Sequence, residues 1–219
     1  MMALQWYQWM ALAALGICLA ALLAHFLRLL RLGKPVEYSR PAGSTGKAIR
    51  YAFTGAMSPA RKESAFLHLP TYTAGLLYHM GTFLSFFLFF FIIAGSLPEG
   101  WLAKAIVAFL CISAFCGIAI LFKRMIRKEL RVLSNPDDFI SNFLVTFFQF
   151  LSIAVLFLST VQLSNRPIVQ LFYYIIYTIL MLYIPVGKLR HTVYFFAARY
   201  HLGFFYGWRG IWPPENLKN

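Results

Sequence analysis

Residues 75–95 read GLLYHMGTFLSFFLFFFIIAG, and residues 171–191 read LFYYIIYTILMLYIPVGKLRH. Each stretch has the roughly 20 mainly apolar residues that a helix needs to cross a bilayer. Each also holds one histidine, His79 in the first stretch and His191 at the end of the second. Ionisable groups at membrane depth are costly, so they usually have a partner and a function. The two stretches therefore predict membrane-spanning helices and single out this pair of imidazoles.

The rest of the composition is typical of an integral membrane protein. Of the 219 residues, 60% are hydrophobic and 12% are charged, whereas a soluble domain carries about 25% charged residues. We therefore expect one all-α domain over the whole chain, built as a five-transmembrane-helix bundle. Hydropathy predicts spans at residues 8–30, 73–94, 101–122, 139–163 and 168–196.

The distribution of positive charge predicts the orientation of this bundle. Eighteen of the 20 Lys and Arg residues fall on one predicted side, and only Lys104 and Arg166 fall on the other. The positive-inside rule then places the N-terminus outside and the C-terminus in the cytoplasm, as a multi-pass protein of the cytoplasmic (inner) membrane. The net charge of +13 follows from this topology. It also favours anionic membrane lipid or an acidic partner, and nothing in it indicates nucleic acid.

Prolines mark the expected ends and bends of the spans. Pro98 separates spans two and three, and residues 135–138, NPDD, supply N-cap oxygens for span four. Pro167 fits the first turn of span five, where its missing N–H costs nothing. Pro185 lies inside that long span and is expected to kink it before His191.

The predicted topology brings His79 and His191 to similar depth. Span two runs outward and span five returns, so the two helices are antiparallel and both histidines lie toward the cytoplasmic side. Neutral imidazoles on facing helices can serve as axial ligands of haem iron. The alternative is a structural histidine that is hydrogen-bonded across helices. His25, near the inner end of span one, fits an interfacial position instead.

Three glycines are candidate haem-binding positions. Gly75 and Gly81 flank His79 at i−4 and i+2, and Gly187 precedes His191 by about one turn. Small residues beside a ligand allow a porphyrin to lie against the helix backbone. They equally allow close helix packing in lipid, so this interpretation stays open beside the first.

Two cations and two further histidines complete the candidate site. Lys188 and Arg190 stand at the predicted membrane surface, where haem propionates would emerge, although positive-inside anchoring explains them too. A second pair, His68 with His201, could hold a second haem about 15 Å further toward the cytoplasm. The polar and basic surroundings of that pair argue against it. One haem is therefore expected and two are possible.

At these residues the chain resembles a known family of membrane cytochromes b. The stretches LLYHMG around His79 and IPVGKLRH ending at His191 are similar to the gamma subunit of respiratory nitrate reductase and to the membrane cytochromes of heterodisulfide-reductase-like complexes. The resemblance implies five spans, an outside N-terminus and haem ligands on spans two and five. It also implies quinone, such as menaquinone, as the redox partner in the membrane.

The chain departs from that family where the nitrate reductase subunit holds a second, outer haem. Residues 82–91, TFLSFFLFFF, contain no histidine, and the matching part of span five offers Tyr173, Tyr174 and Tyr177. We expect phenylalanine side chains to fill that space. The resemblance then implies a single haem b near the cytoplasmic side.

The resulting hypothesis is an electron-transfer subunit of a quinone-linked oxidoreductase complex, rather than a stand-alone enzyme. The three cysteines lie in apolar spans without Cys-x-x-Cys spacing, so an iron–sulfur centre is expected on a cytoplasmic partner subunit. The loop at residues 33–58 is a candidate docking segment. The tail at residues 198–214 is expected either to lie along the inner membrane surface, with Trp208 and Trp212 at headgroup level, or to dock the soluble partner. A haem-free structural membrane anchor is the main alternative. A lipid-modifying enzyme fits poorly, because the pair Asp137 and Asp138 is better explained as a helix cap.

Overall fold

The computed structural model describes residues 4–33, 36–61, 67–161 and 167–214, and it is helical without strands in these residues. Of these described residues, 82% are helical. The described α-helices are α1 (Trp6–Arg31), α2 (Thr45–Phe53), α3 (Leu69–Ala94), α4 (Gly100–Ile126), α5 (Lys128–Val132), α6 (Pro136–Thr160), α7 (Pro167–Tyr183) and α8 (His191–Trp208). Short 3₁₀ turns lie at Gly55–Met57, Pro59–Arg61 and Lys188–Arg190.

Several of these helices are long and apolar enough to cross a membrane. In the described part of the chain, four pass that test, namely α1, α3, α4 and α6, and α7 with α8 would add a fifth if that broken pair formed one span. The composition and lengths therefore agree with a multi-pass membrane protein. Five spans and their orientation stay predictions.

The helix boundaries follow the local signals in the sequence. Asn135 caps α6 with a capping box, in which its side chain accepts from the Asp138 N–H at 3.0 Å and the Asp138 carboxylate accepts from the Asn135 N–H at 3.1 Å. Pro167 is the first residue of α7, and α4 begins at Gly100, whose φ of +62° suits glycine. These predicted starts are confirmed.

The predicted fifth span, 168–196, is not one helix. Helix α7 ends at Tyr183, and α8 begins only at His191. Pro185 lies in this interruption. The helix breaks there because proline lacks the N–H that would continue it and because the proline ring collides with the preceding turn. Helix α8 then continues without a break as far as Trp208, despite Gly203 and Gly207 within it.

The contacts divide the chain into two compact units. Unit 1 comprises Met1–Ala20 and Pro70–Leu189, and unit 2 comprises Ala21–Leu69 and Arg190–Asn219. Helix α1 therefore contributes its first part to unit 1 and its last part to unit 2. The single-domain expectation stays a prediction beside this division.

Two glycines of unit 1 make room for side chains of the neighbouring helices. A side chain at Gly81 of α3 would collide with Ser113 of α4, and one at Gly117 of α4 would lie 2.6 Å from the Thr146 hydroxyl of α6. Close approach of helices through small residues replaces the hydrophobic driving force that lipid does not supply. Helices α3, α4 and α6 therefore meet at these glycines.

In unit 2, α2 and α8 approach each other so closely that the glycines of α8 face backbone and alanine atoms of α2. A Cβ at Gly203 would lie 2.5 Å from the Ile49 Cα, and one at Gly207 would lie 2.5 Å from the Ala48 Cβ. Both glycines and both alanines of the facing pair, Ala48 and Ala52, are buried. The predicted docking loop at residues 33–58 thus contains a helix whose small residues match the glycine pair of α8.

Candidate functional site

His79 lies on the outside of unit 1, beside a neighbour that points inward. Tyr78 is buried, whereas the His79 side chain is exposed on α3. The His79 Nδ1 lies 2.7 Å from the carbonyl oxygen of Gly75, one turn earlier. Because a carbonyl oxygen only accepts, Nδ1 must donate, and the neutral ring then keeps its lone pair on Nε2. This geometry suits a metal ligand, in which one ring nitrogen is oriented by a hydrogen bond and the other faces the metal.

The three candidate glycines differ in what lies in front of them. No atom approaches a Cβ built on Gly75 within 4 Å, so the helix surface beside His79 is open there. Gly81 instead faces the Ser113 side chain, and Gly187 faces the ring of Tyr183. The structure therefore assigns close packing to the last two, while Gly75 leaves room for a flat group.

Asp138, at the start of α6, forms ion pairs with two cations. Its carboxylate lies 3.0 Å from Arg124 at the end of α4, and it also pairs with Lys188 in the turn before α8. The Asp138 side chain is only 5% exposed, whereas that of Lys188 is 50% exposed. Lys188 is expected from the sequence to contact a haem propionate. In the structure its ammonium group pairs with Asp138 inside unit 1, and this ion pair would compete with a propionate. Arg190, two residues later, is exposed.

Two contacts of α6 lie one helical turn apart and involve the neighbours of the candidate ligands. The Tyr78 hydroxyl donates to the Asn142 carbonyl at 3.0 Å, and the Lys188 ammonium donates to Asp138, four residues earlier on α6. Four residues of α-helix rise about 6 Å. Tyr78 immediately precedes His79. Tyr78 and Lys188 therefore contact α6 at positions that are one helical turn apart.

His191 is the first residue of α8 and belongs to unit 2, whereas His79 belongs to unit 1. Their pairing therefore stays a prediction. Also in unit 2, the Tyr194 hydroxyl of α8 lies 3.4 Å from the His25 Nδ1 of α1, with ring centroids 6.0 Å apart. His25 thus has an aromatic polar neighbour that its sequence position did not indicate.

The second histidine pair lies wholly in unit 2. His68 is exposed in the turn just before α3, and His201 is half-buried on α8. The His201 Nδ1 is buried and has no hydrogen-bond partner among the described residues. Whether these two hold a second haem stays a prediction.

The sequence analysis missed a polar network in the centre of unit 1. The Gln149 amide of α6 donates to the Thr82 hydroxyl at 2.9 Å and accepts from the Ser113 hydroxyl at 2.9 Å. The Tyr78 hydroxyl lies 2.9 Å from that of Thr146. Polar residues at 142, 146 and 149 have helical spacing and could have revealed the network. It joins α3, α4 and α6 away from the exposed His79.

Aromatic side chains fill the other end of unit 1. Tyr173, Tyr174 and Tyr177 of α7 are buried. The Phe89 ring of α3 stacks on Tyr177 with centroids 3.7 Å apart and planes 3° apart. Phe148 of α6 packs against the same group, 5.4 Å from Tyr173. Helices α3 and α7, which contain most of the predicted spans two and five, are therefore direct neighbours.

Comparison of the chain with protein-family models, with curated proteins and with solved structures finds no match. The site must therefore be interpreted from its own residues.

Proposed function

We propose that this protein is a membrane cytochrome b subunit that passes electrons between a cytoplasmic iron–sulfur partner and quinone, with His79 and His191 as axial ligands of one haem b. The observation that carries the proposal is the hydrogen bond from the His79 Nδ1 to the Gly75 carbonyl at 2.7 Å. It orients an exposed imidazole so that Nε2 points outward for coordination. A histidine that only packs helices together would be expected to face the core, where Tyr78 lies.

The surroundings of His79 support the same assignment. The open surface at Gly75 leaves space for a flat ring system against α3. Within unit 1, Tyr78, beside His79, and Lys188 contact neighbouring turns of α6. The direct packing of Phe89 on Tyr177 supports the neighbouring positions of α3 and α7.

Haem b, when bound, supplies one-electron transfer between a soluble donor or acceptor and quinone in the membrane. The chain's own residues then have three roles. His79 and His191 bind the iron, and the Gly75 carbonyl fixes the ring of His79 in the coordinating tautomer. The basic residues near His191, among them Arg190, offer charge to carboxylate groups of the haem.

The decisive test is the haem content of the purified full-length protein and of two ligand variants. We expect a b-type band in the reduced-minus-oxidised spectrum of the wild type and its loss in both His79→Ala and His191→Ala. His68→Ala is the matched control, because it removes an exposed histidine that the single-haem assignment does not use. A low-spin spectrum that survives in His191→Ala would contradict the ligand assignment.

A stoichiometry measurement separates the remaining alternatives. One haem per chain agrees with the single pair, and two would return His68 and His201 to the site. Absence of extractable haem from the wild type, with the protein intact in the membrane, would favour the haem-free structural anchor.

A further inference from the structure

Unit 2 is much more basic than unit 1. Residues 21–69 and 190–219 contain 12 Lys and Arg residues and only three carboxylates. Among the described residues of this unit, Glu37 is the one carboxylate, and it pairs with Arg209 at 2.7 Å. The unit therefore carries positive charge that its own acidic residues do not neutralise.

Helix α8 presents an exposed stripe on the side away from α2. Because Gly203 and Gly207 face α2, the larger side chains on the opposite side remain uncovered. Their spacing of three, four and three residues places them on one face of the helix. The α8 stripe consists of Phe195, Ala198, Leu202 and Phe205.

Two arginines lie over the aromatic rings of the α8 stripe. The Arg209 guanidinium is 3.6 Å from the Phe205 centroid, and that of Arg199 is 5.6 Å from the Phe195 centroid. The charged guanidinium group of each arginine thus lies against an aromatic ring of the stripe, as in a cation–π contact. An apolar face bordered by cations is typical of helices that lie in the headgroup region of a bilayer.

Helix α1 indicates the height of this stripe relative to the membrane. The last part of α1 belongs to unit 2, and this candidate span ends with Arg28 and Arg31 in its final turn. Tyr194, in the first turn of α8, contacts His25 one turn before that basic end. Helix α8 therefore begins where α1 reaches its charged terminus, which is where a span leaves the hydrocarbon.

We propose that the α8 stripe lies in the headgroup region of the membrane and binds anionic phospholipid headgroups through Arg199 and its neighbouring cations. Lipid fits this surface because α8 begins beside the charged end of the candidate span α1 and because unit 2 carries positive charge that its own carboxylates do not neutralise. Anionic headgroups provide the complementary charge next to the acyl chains that accept Phe195 and Leu202. The proposal does not depend on haem.

The first experiment measures immersion of the stripe in the bilayer. Full-length protein with its three cysteines replaced by alanine receives a nitroxide label at Leu202→Cys and is reconstituted in liposomes containing phosphatidylglycerol. We expect the label to collide with a water-soluble nickel chelate several-fold less often than a label at Ala60→Cys, an exposed position of the same unit. Equal accessibility of the two labels would overturn the proposal and leave the stripe as a surface for a protein partner.

The second experiment tests the headgroup charge. Phosphatidylglycerol is titrated into the Leu202-labelled protein in neutral detergent, with phosphatidylcholine as the uncharged comparison. One cation near an anionic surface contributes about a fivefold change in affinity, so Arg199→Gln should weaken phosphatidylglycerol binding about fivefold.

Arg127→Gln is the matched control, since Arg127 is an exposed arginine of unit 1. Arg199 forms no ion pair among the described residues, so its replacement should leave the fold intact. Equal affinity for the two lipids, or equal effects of the two substitutions, would overturn the role of the headgroup charge.

Discussion

The helices of unit 1 pack through large side chains, whereas those of unit 2 pack through glycine and alanine. Unit 1 buries large aromatic rings and a polar network centred on Gln149, and its glycines accommodate side chains such as that of Ser113. Unit 2 buries almost no large side chain at the contact of α2 with α8, where Gly203 and Gly207 meet backbone and alanine atoms directly. The first unit therefore depends on side-chain hydrogen bonds and ring packing, and the second on the absence of side chains.

This difference matters for the candidate site, because the two proposed ligands fall in different units. His79 lies on α3, whose inner face is fixed by the Gln149 network, while His191 begins α8, whose position depends on the glycine contact. If the proposed function holds, damage to either unit would therefore weaken haem binding without changing a ligand. Variants of the two contacts can separate these contributions.

The largest effect is expected at Gly207. A Cβ there would lie 2.5 Å from the Ala48 Cβ and 2.9 Å from the Thr45 Cα, and neither atom belongs to a flexible side chain that could move aside. Gly207→Ala should destabilise unit 2 by about 1–3 kcal/mol, measured as faster limited proteolysis of the purified protein at increasing temperature.

The same substitution at Gly46 is the matched control. No atom lies within 4 Å of a Cβ built on this residue of α2, so Gly46→Ala should stabilise the helix by up to about 1 kcal/mol. Equal responses of the two variants would contradict glycine-dependent packing in unit 2.

A smaller effect is expected from Gln149→Leu in unit 1. The substitution leaves the hydroxyls of Ser113 and Thr82 without their amide partner, inside a bundle where water does not replace it. We expect a loss of about 1–2 kcal/mol in unfolding free energy, measured by thermal unfolding in detergent. Gln170→Leu, on a half-exposed position of α7, is the control and should change stability little. A neutral Gln149→Leu variant would show that ring packing alone holds unit 1.

The smallest effect concerns Glu37 at the surface of unit 2. Hydrogen bonds from the side chain and backbone of Ser39, together with Arg209, hold the pKa of Glu37 below its ordinary value. Because the folded-state pKa is lowered, the carboxylate stabilises the fold above the unfolded pKa, roughly 4.3, and this contribution is lost as pH falls through the folded value. Acidification from pH 6 to 3 should therefore lower the unfolding temperature more in the wild type than in Glu37→Gln.

Glu99→Gln serves as the control for that titration. Glu99 is an exposed residue without an ion pair in the described part of the chain. Its variant should keep the pH response of the wild type. Identical pH profiles for wild type and Glu37→Gln would contradict a contribution of the Glu37 carboxylate to unit 2.

Much of the fold was accessible from local sequence signals, and the failures share one cause. The cap at Asn135, the helix start at Pro167 and the interruption at Pro185 each depend on backbone hydrogen bonds within a few residues. The helix α2 was missed because its stability comes from a contact with α8 about 155 residues later, which no local pattern reveals. Gly203 and Gly207 carry the small-xxx-small spacing, but their partners Ala48 and Ile49 had to be located in three dimensions.

The candidate site shows the same division. The sequence by itself determined which segments are apolar enough for lipid and which histidines they contain, because transfer into a bilayer depends mainly on composition. Only the tertiary structure decided that Tyr78 points inward and His79 outward, that Gly75 is open while Gly81 is filled, and that Lys188 pairs with Asp138. Those outcomes depend on which helix faces are in contact with neighbouring helices. Such contacts are set by the packing of several segments and cannot be read from one segment alone.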